Sequence, residues 1–511
     1  MIYDAVIIGS GPAGVAAAWA CIKKGWKTLM LDEGKTLPSE HQMKVERLVS
    51  KPESEWTQSD LEFLHVPFES DFRKSIYGSK FPYAHDPEVQ KTNTGLERSW
   101  AKGGFSNVWG SVILPYTVEQ VKVWGIDIEE WQHAQNGVAE LLHISNNDCG
   151  GWARHFLIPK SQERRHDLDP GPSPIIRKFL DKFEYSARNK RNHNMEVGRA
   201  LLAWRKDAAR CTGCQLCLVG CPYGLFYNSA NSIDEMVQNG LEYRVGKVLK
   251  VAKYDSIFNI GCVKENGEES NIKAQRAFIG AGPLGTANIL LKSGFIKNYS
   301  VELKDSRYFL FLVLWTGARF SAMNTITAAQ AFVELYGATP VDDVHLQIYD
   351  PSGPTLYRTL AHRLKKMPAK SILLNFVRGR LLLVQGLLHS QVSGTVEVTQ
   401  TGLGMNVQGH DVVRSRWAIA KAFLTFLRTF GPLGFVPLPA IKFPPLGLGQ
   451  HAGASFPMKT NPEPYETDLH GQWPGAPNLY IIDASSLPDI PPHTITLSIM
   501  TNAYRIANYA Q

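Results

Sequence analysis

Nowhere in the 511 residues is there an uninterrupted apolar run of about 18, the length a membrane-spanning helix requires, so no spanning helix is expected. Internal repeats and low-complexity tracts are missing too, which sets aside solenoids and fibrous architectures. Cysteine is scarce, at seven residues, and 54 basic against 47 acidic residues is too small an excess over this length to mark a nucleic-acid binder. The N-terminus offers no charged region, apolar region and cleavage site in series, because a buried-strand pattern starts at Ile2. The expected location is cytoplasmic, with peripheral contact at the inner face of a membrane as a variant considered below. Asp and Glu are absent from two stretches, 351–396 and 412–462.

What is present is globular: 44% apolar and 20% charged residues, enough for a sizeable core divided among about three domains or two large interleaved ones. The run Asp4–Ile8 ends in GSGPAG and is followed by the alanine-rich stretch Val15–Ile22, which suits a helix. A second apolar run, Thr28–Leu31, stops at Asp32, completing strand, helix and strand within about 30 residues, the size of one βαβ unit. From Pro38 to about Glu97 the text is polar and irregular and reads as an excursion or lid. From Ile272 to Leu291 a strand, a glycine turn and a helix should return the chain to the first sheet. AQAFVELYG, DVHLQIYD, LLLVQGLLHS and GTVEV, between Tyr308 and Val398, read as strands of an antiparallel sheet interrupted by a basic helical insert. The last stretch, from Asn478, reads as a strand, a proline-rich turn and a long helix.

Gly9, Gly11 and Gly14 follow a strand and open a helix. The first permits the tight turn, the second lets backbone approach a pyrophosphate, and the third admits close helix packing. The helix N-terminus then meets the phosphate charge. Asp32, with Glu33 beside it, ends the second strand, where an acid accepts hydrogen bonds from a ribose hydroxyl. The pattern indicates a dinucleotide, FAD in preference to NAD because the chain returns to this sheet only after a long excursion.

Three further segments make the chain resemble the glucose-methanol-choline (GMC) oxidoreductases at both ends, around a divergent middle. AKGGFSNVWG at 101–110 is similar to the family's flavin-contact loop, and the resemblance places Gly103, Gly104, Ser106, Asn107 and Val108 against the isoalloxazine. GAGPLGTANILLKSG at 280–294, containing Gly282, is similar to the segment beside the adenosine, and Val248 matches a position whose backbone meets the adenine. GQHAGASFP at 449–457 followed by NLYIIDASSLPDIPPHTITLSIM at 478–500 resembles the family's catalytic end. By that resemblance His451 is the catalytic histidine, and His493 occupies a position held by asparagine or histidine. Asp483 and Ala484 approach the FAD pyrophosphate and ribityl, and Thr494 and Ile495 open the helix aimed at the reduced flavin. Pro12 and Ala13 complete the phosphate loop. Thr494 departs from the usual proline, and AGASFP departs from the commoner pattern after the histidine. Asp483 also admits a plainer reading as a turn former before SSLP.

The resemblance implies an α/β fold: a Rossmann-type FAD-binding domain over 1–40, 95–115, 195–300 and 445–511. It is interleaved with an α+β substrate domain over 41–94, 116–194 and 301–444, built on an antiparallel sheet. It also implies an FAD-dependent dehydrogenase for an alcohol, a sugar or other secondary hydroxyl. In that chemistry the hydroxyl proton leaves to a base while the hydride moves to flavin N5, and a neutral imidazole suits the task at cytoplasmic pH. His451 is the expected base, with His493 orienting the hydroxyl.

Cys211, Cys214, Cys217 and Cys221, followed by Pro222, reproduce the CxxCxxCxxxCP spacing of bacterial ferredoxins. One [4Fe-4S] or [3Fe-4S] cluster is one reading, with Cys149 or Cys262 as a remote ligand. Structural zinc and simple packing are the others. Some GMC-like sugar dehydrogenases carry a cluster beside the flavin, which implies electron export to a quinone or redox protein. The competing function is an electron-transfer flavoprotein relaying between FAD, cluster and quinone without alcohol chemistry. In the acid-free stretches, Arg358, Arg363, Lys365, Lys366, Lys370, Arg378 and Arg380 stand among leucines and phenylalanines, followed by WAIAKAFLTFLRTF. An anionic bilayer surface, a phosphorylated sugar and an ordinary solvated basic face all suit that composition.

Overall fold

The computed structural model describes residues 1–64, 76–77, 79–83, 86–145, 156–159, 168, 170–189, 194–217, 220–321, 325–352, 377, 379–402 and 404–511. The expected first unit is there. Strand β1 (Ile2–Ile8) leads through the glycine turn into helix α1 (Pro12–Lys23) and on to β2 (Thr28–Asp32), which lies parallel to β1. Glu242–Val245 extends the sheet beyond β2, also parallel, and Glu269–Ile279 pairs parallel to the other side of β1, followed by Leu479–Ile481. The first half of Glu269–Ile279 pairs antiparallel with Ile257–Val263, which pairs in turn with Lys247–Tyr254. Parallel strands covered on both faces must be apolar throughout, and Ala5, Val6, Ile7 and Ile8 are all buried. The small side chains of α1, Ala13, Ala16, Ala17 and Ala20, let the C-terminal helix (Thr496–Tyr509) close onto it through Leu497, Met500 and Ala503.

The second sheet has six antiparallel strands in the order Phe435–Pro437, Tyr308–Trp315, Leu381–Leu388, Val344–Tyr349, Ala331–Leu335, Met195–Arg199. Alternation divides its faces. Phe309, Phe311, Leu346, Ile348, Leu382 and Val384 pack against the helices Pro174–Asn189 and Val413–Phe430. The intervening residues, among them Tyr308, Glu334, His345, Gln347, Tyr349 and Gln385, point the other way. The fold class is therefore the expected one, a parallel dinucleotide-type sheet joined to an antiparallel sheet.

Two expectations need correcting. GTVEV does not join the second sheet: Thr395–Gln400 pairs with Ser300–Asp305 and Met405–His410 in a separate five-stranded sheet. Val396 and Val398 there bury with Val301, Leu303 and Leu290, a core the period-two pattern alone does not distinguish from the neighbouring one. The stretch 38–97 is not irregular throughout, since it carries helices Ser39–Val49 and Gln58–Leu64. Val45, Leu48, Leu64, Ile76, Tyr77 and Leu216 form a small core of their own there. The basic helical insert falls on 353–376, outside the described residues, as do Cys149 and Arg378. Among the described residues no helix is long and apolar enough to cross a membrane.

Candidate active site

A cleft of about 360 Å³ opens between the carboxyl ends of the parallel strands and the polar face of the second sheet. That is where open α/β sheets place their ligands. Gly9, Gly11, Pro12, Ala13, Asp32 and Glu33 line it, and so do Gly104, Ser106, Val108, Val248, Gly282, Asp483, Ala484, Thr494, Ile495 and His451. Gly14 lies behind the wall for the reason its spacing implies: a β carbon on it would stand 1.9 Å from the Gly9 carbonyl oxygen.

Three helix N-termini face this cleft, at Gly11, Gly282 and Ile495, and none has a side-chain cap. Each leaves backbone N–H groups unsatisfied and brings a partial positive charge. An anionic or strongly polar ligand fits such a wall. Asp32, Glu33 and Val248 also line the cleft, and an acid at the end of the second strand suits a ribose hydroxyl. These features fit FAD.

Asp32 does more than wait for a ribose. Its carboxylate accepts from the Ser10 backbone N–H (3.2 Å), the Ser10 hydroxyl (2.6 Å) and the Gly34 N–H (3.0 Å). Ser10 Oγ in turn accepts from the N–H of Gly103 (2.9 Å), so the phosphate loop and the 101–110 loop are tied together. Gly103 adopts φ +83°, and a β carbon there would meet Ala230 N and Asn228 Oδ1 at 2.7 Å. Gly103 and Asn107 do not line the cleft. Asn107 stitches the loop instead, its amide donating to the carbonyls of Lys102 (2.9 Å) and Gly104 (2.7 Å) and accepting from Asn228 (2.8 Å). Ser106 donates to Gly103 O (2.6 Å) and accepts from Ser229 N–H (3.0 Å). Asn228, which also caps the helix Ser229–Gln238, was not visible as a site residue in the sequence.

At the other end, Asp483 accepts from the Thr286 hydroxyl (2.5 Å) and the Ser485 N–H (2.9 Å), and burial pushes its carboxyl up. Asp483 is thus a turn former, as its plainer reading has it, and it also lines the cleft. Thr494 accepts from the Leu114 N–H at 2.8 Å, a bond that a proline could not make.

His451 sits on the loop that enters Ala452–Gly453, a short strand paired with the end of Ser300–Asp305. Its carbonyl accepts from Ser306 N–H (3.0 Å), and Gln450 beside it bonds Gly95 O (3.2 Å) and Glu97 N (3.3 Å). Two residues after Ser306, Tyr308 begins the second sheet, so His451 is pinned at the joint between two sheets with its ring in the cleft wall. Beneath this joint lies Asp305, whose carboxyl burial pushes up to about 7, with the Gly447 N–H and Arg307 only partly offsetting it. A raised folded-state value gives stability that is present below the unfolded pKa and lost as pH rises through the folded one. Relative to Asp305→Asn, the wild type is thus expected to lose thermal stability between about pH 4 and about pH 7. Parallel melting profiles for the two proteins would overturn this.

His493 is placed differently from the expected pairing with His451. It is 1% exposed and does not line the cleft. Gln120 closes a capping box with Thr117, its Oε1 accepting the Thr117 N–H at 2.9 Å, which assigns its Nε2 to the His493 side. That nitrogen donates to His493 Nδ1 (3.0 Å), so the ring proton resides on Nε2. Nε2 stands 3.2 Å from Glu334 Oε2, off the line of a well-formed hydrogen bond, so the attraction there is chiefly electrostatic. The other Glu334 oxygen pairs with His345 Nδ1, directly across the strand pair. Burial alone pushes the Glu334 carboxyl up, but the two imidazoles overcome it and hold it at about 2. Glu334, His345 and Gln120 were missed in the sequence. The available signal was the polar alternation of His345, Gln347 and Tyr349 in an otherwise apolar strand.

The four cysteines of the ferredoxin-like run are not in disulfides and are partly buried. Burial pushes the Cys221 thiol up to about 11, with Cys217 adding to it, and Cys214 rises further by burial and the nearness of Cys217 and Cys221. Among the described residues no group of three or more His, Cys, Asp or Glu side chains is placed to hold a metal ion. The arrangement gives no support to a cluster on these cysteines.

No protein-family model matches the sequence, and no curated protein does. A solved structure, pyridoxine 4-oxidase from Mesorbium loti, aligns with a TM-score of 0.61 over 99% of this chain and 98% of its own, at 15% sequence identity. The likeness is one of fold and runs from end to end.

Proposed function

We propose that the chain is an FAD-dependent dehydrogenase that oxidises an alcohol carbon, with a sugar or another secondary hydroxyl compound as substrate. The observation that carries this reading is the presence of His451 in the same cleft wall as three uncapped helix N-termini. FAD, when bound, supplies the acceptor for the carbinol hydride. His451 takes the hydroxyl proton, at Nε2, because Nδ1 is enclosed by protein. Asp32, Ser10 and Asn107 hold the two glycine loops in shape, and the N-terminus of the C-terminal helix brings positive potential to the reacting end.

The substrate end is neutral and rich in hydrogen-bonding groups. The Tyr349 hydroxyl donates to the amide oxygen of Gln347 (2.6 Å) and stands 3.2 Å from that of Gln385, and the two glutamines bring amide N–H donors to the cleft wall. Donors of this kind suit the hydroxyl oxygens of a polyol. Glu334 acts from behind as a positioning residue, holding His493 and with it the turn that carries Thr494 and Ile495.

The test is anaerobic. Purified protein is expected to carry FAD whose visible absorbance bleaches on adding one or more members of a panel of aldoses, polyols and simple secondary alcohols. If dithionite bleaches the flavin and no alcohol does, the reading fails.

A further inference from the structure

The helix Val413–Phe430 buries one side and leaves an apolar stripe on the other. Ser415, Ile419, Ala422, Phe426 and Phe430 are buried against the second sheet. Val413 is 69% exposed, Trp417 74% and Leu424 46%. At about 100° per residue these three fall within about 40° of one another, on the side opposite Ile419 and Phe426. Arg414, Lys421 and Arg428 flank the stripe on one edge and Arg416 on the other, all exposed. No Asp or Glu occurs between 412 and 462. Asp411, just before the helix, is engaged with Arg307 at 3.4 Å, and Asp342 lies 4.0 Å from Arg414.

A folded chain gains nothing by presenting an indole, a valine and a leucine in line to water. The arrangement is that of a helix lying in an interface, with apolar side chains inserted and long basic ones reaching outward to anionic headgroups. We propose that this face docks the protein peripherally on an anionic lipid bilayer. Charge decides between occupants: basic residues line both edges and the helix itself carries no acid, which fits an anionic surface.

The experiment is co-sedimentation of the full chain with vesicles of phosphatidylglycerol and phosphatidylcholine, against vesicles of phosphatidylcholine alone. The wild type is expected to sediment with the anionic vesicles and to be released by salt. Neutralising Arg414, Lys421 and Arg428 to Gln should weaken the partition by about 10²-fold, from roughly fivefold for each basic residue at the surface. Trp417→Glu should abolish it. Because these side chains face outward, both variants should keep the wild-type melting temperature and flavin content. Wild-type protein that stays in the supernatant, or binds both vesicle types alike, overturns the proposal. So does a dimer in vesicle-free solution that Trp417→Glu dissociates, which would assign the face to a second copy.

Discussion

Replacing His451 with alanine is expected to slow substrate-dependent flavin reduction by about 10²–10⁴-fold, the contribution of a well-placed general base. The FAD content should stay near that of the wild type. The two halves of this prediction separate because the residue and the cofactor wall are held by different elements. His451 is fixed through Ser306 and the loop at Gln450, whereas the rest of the cleft wall is built from Ser10, Asp32, Gly104 and the helix openings. Stopped-flow mixing of anaerobic enzyme with substrate reads the first half, and the ratio of flavin to protein absorbance reads the second. A variant that reduces its flavin at the wild-type rate removes the base from the mechanism. One that purifies without flavin shows instead that the ring is a wall of the cofactor site.

The larger effect on stability is expected at Glu334. It is fully buried between His345 and His493. Truncation to alanine leaves the two enclosed ring N–H groups that face the carboxylate without their common acceptor, a loss of about 1–3 kcal/mol for each buried group left unsatisfied. Glu334→Gln keeps the volume and removes the charge, so it isolates the electrostatic part. The folded carboxyl lies at about 2, below its ordinary 4.5, so its stabilisation is complete above the unfolded pKa and is lost as pH falls toward about 2. The melting-temperature gap between wild type and Glu334→Gln should accordingly be widest near neutrality and narrow below about pH 4.5. A gap that is absent at neutral pH would mean the carboxylate does not serve the two rings. In turnover, the Gln variant should lower kcat far less than His451→Ala, since Glu334 acts only through the position of His493 and the Thr494 turn.

These two residues show where a linear reading succeeds and where it stops. His451 and the glycine fingerprint were legible because each signal is local. Gly9, Gly11, Gly14 and Asp32 fall within one strand, turn, helix and strand, and spacing along the chain is spacing in space over that range. Glu334 was not legible, for it is one acid in AQAFVELYG. Its meaning comes from the pairing of Glu334 with His345 across two strands and from His493, more than 150 residues further on. The same limit explains His493 itself. Sequence position assigned it to the cleft, and a capping box formed by Thr117 and Gln120 turned its ring away.

By itself, then, the sequence determined the parallel sheet, the phosphate loop, the strand and helix that return to it, and the histidine that reaches the cleft. Only the tertiary structure decided which sheet Thr395–Gln400 joins, and that one histidine lines the cleft while the other faces a buried carboxylate. The reason is physical. Backbone periodicity and turn geometry are set by a few neighbouring residues, whereas the partner of a buried polar side chain is set by strand register and helix packing summed over the whole chain.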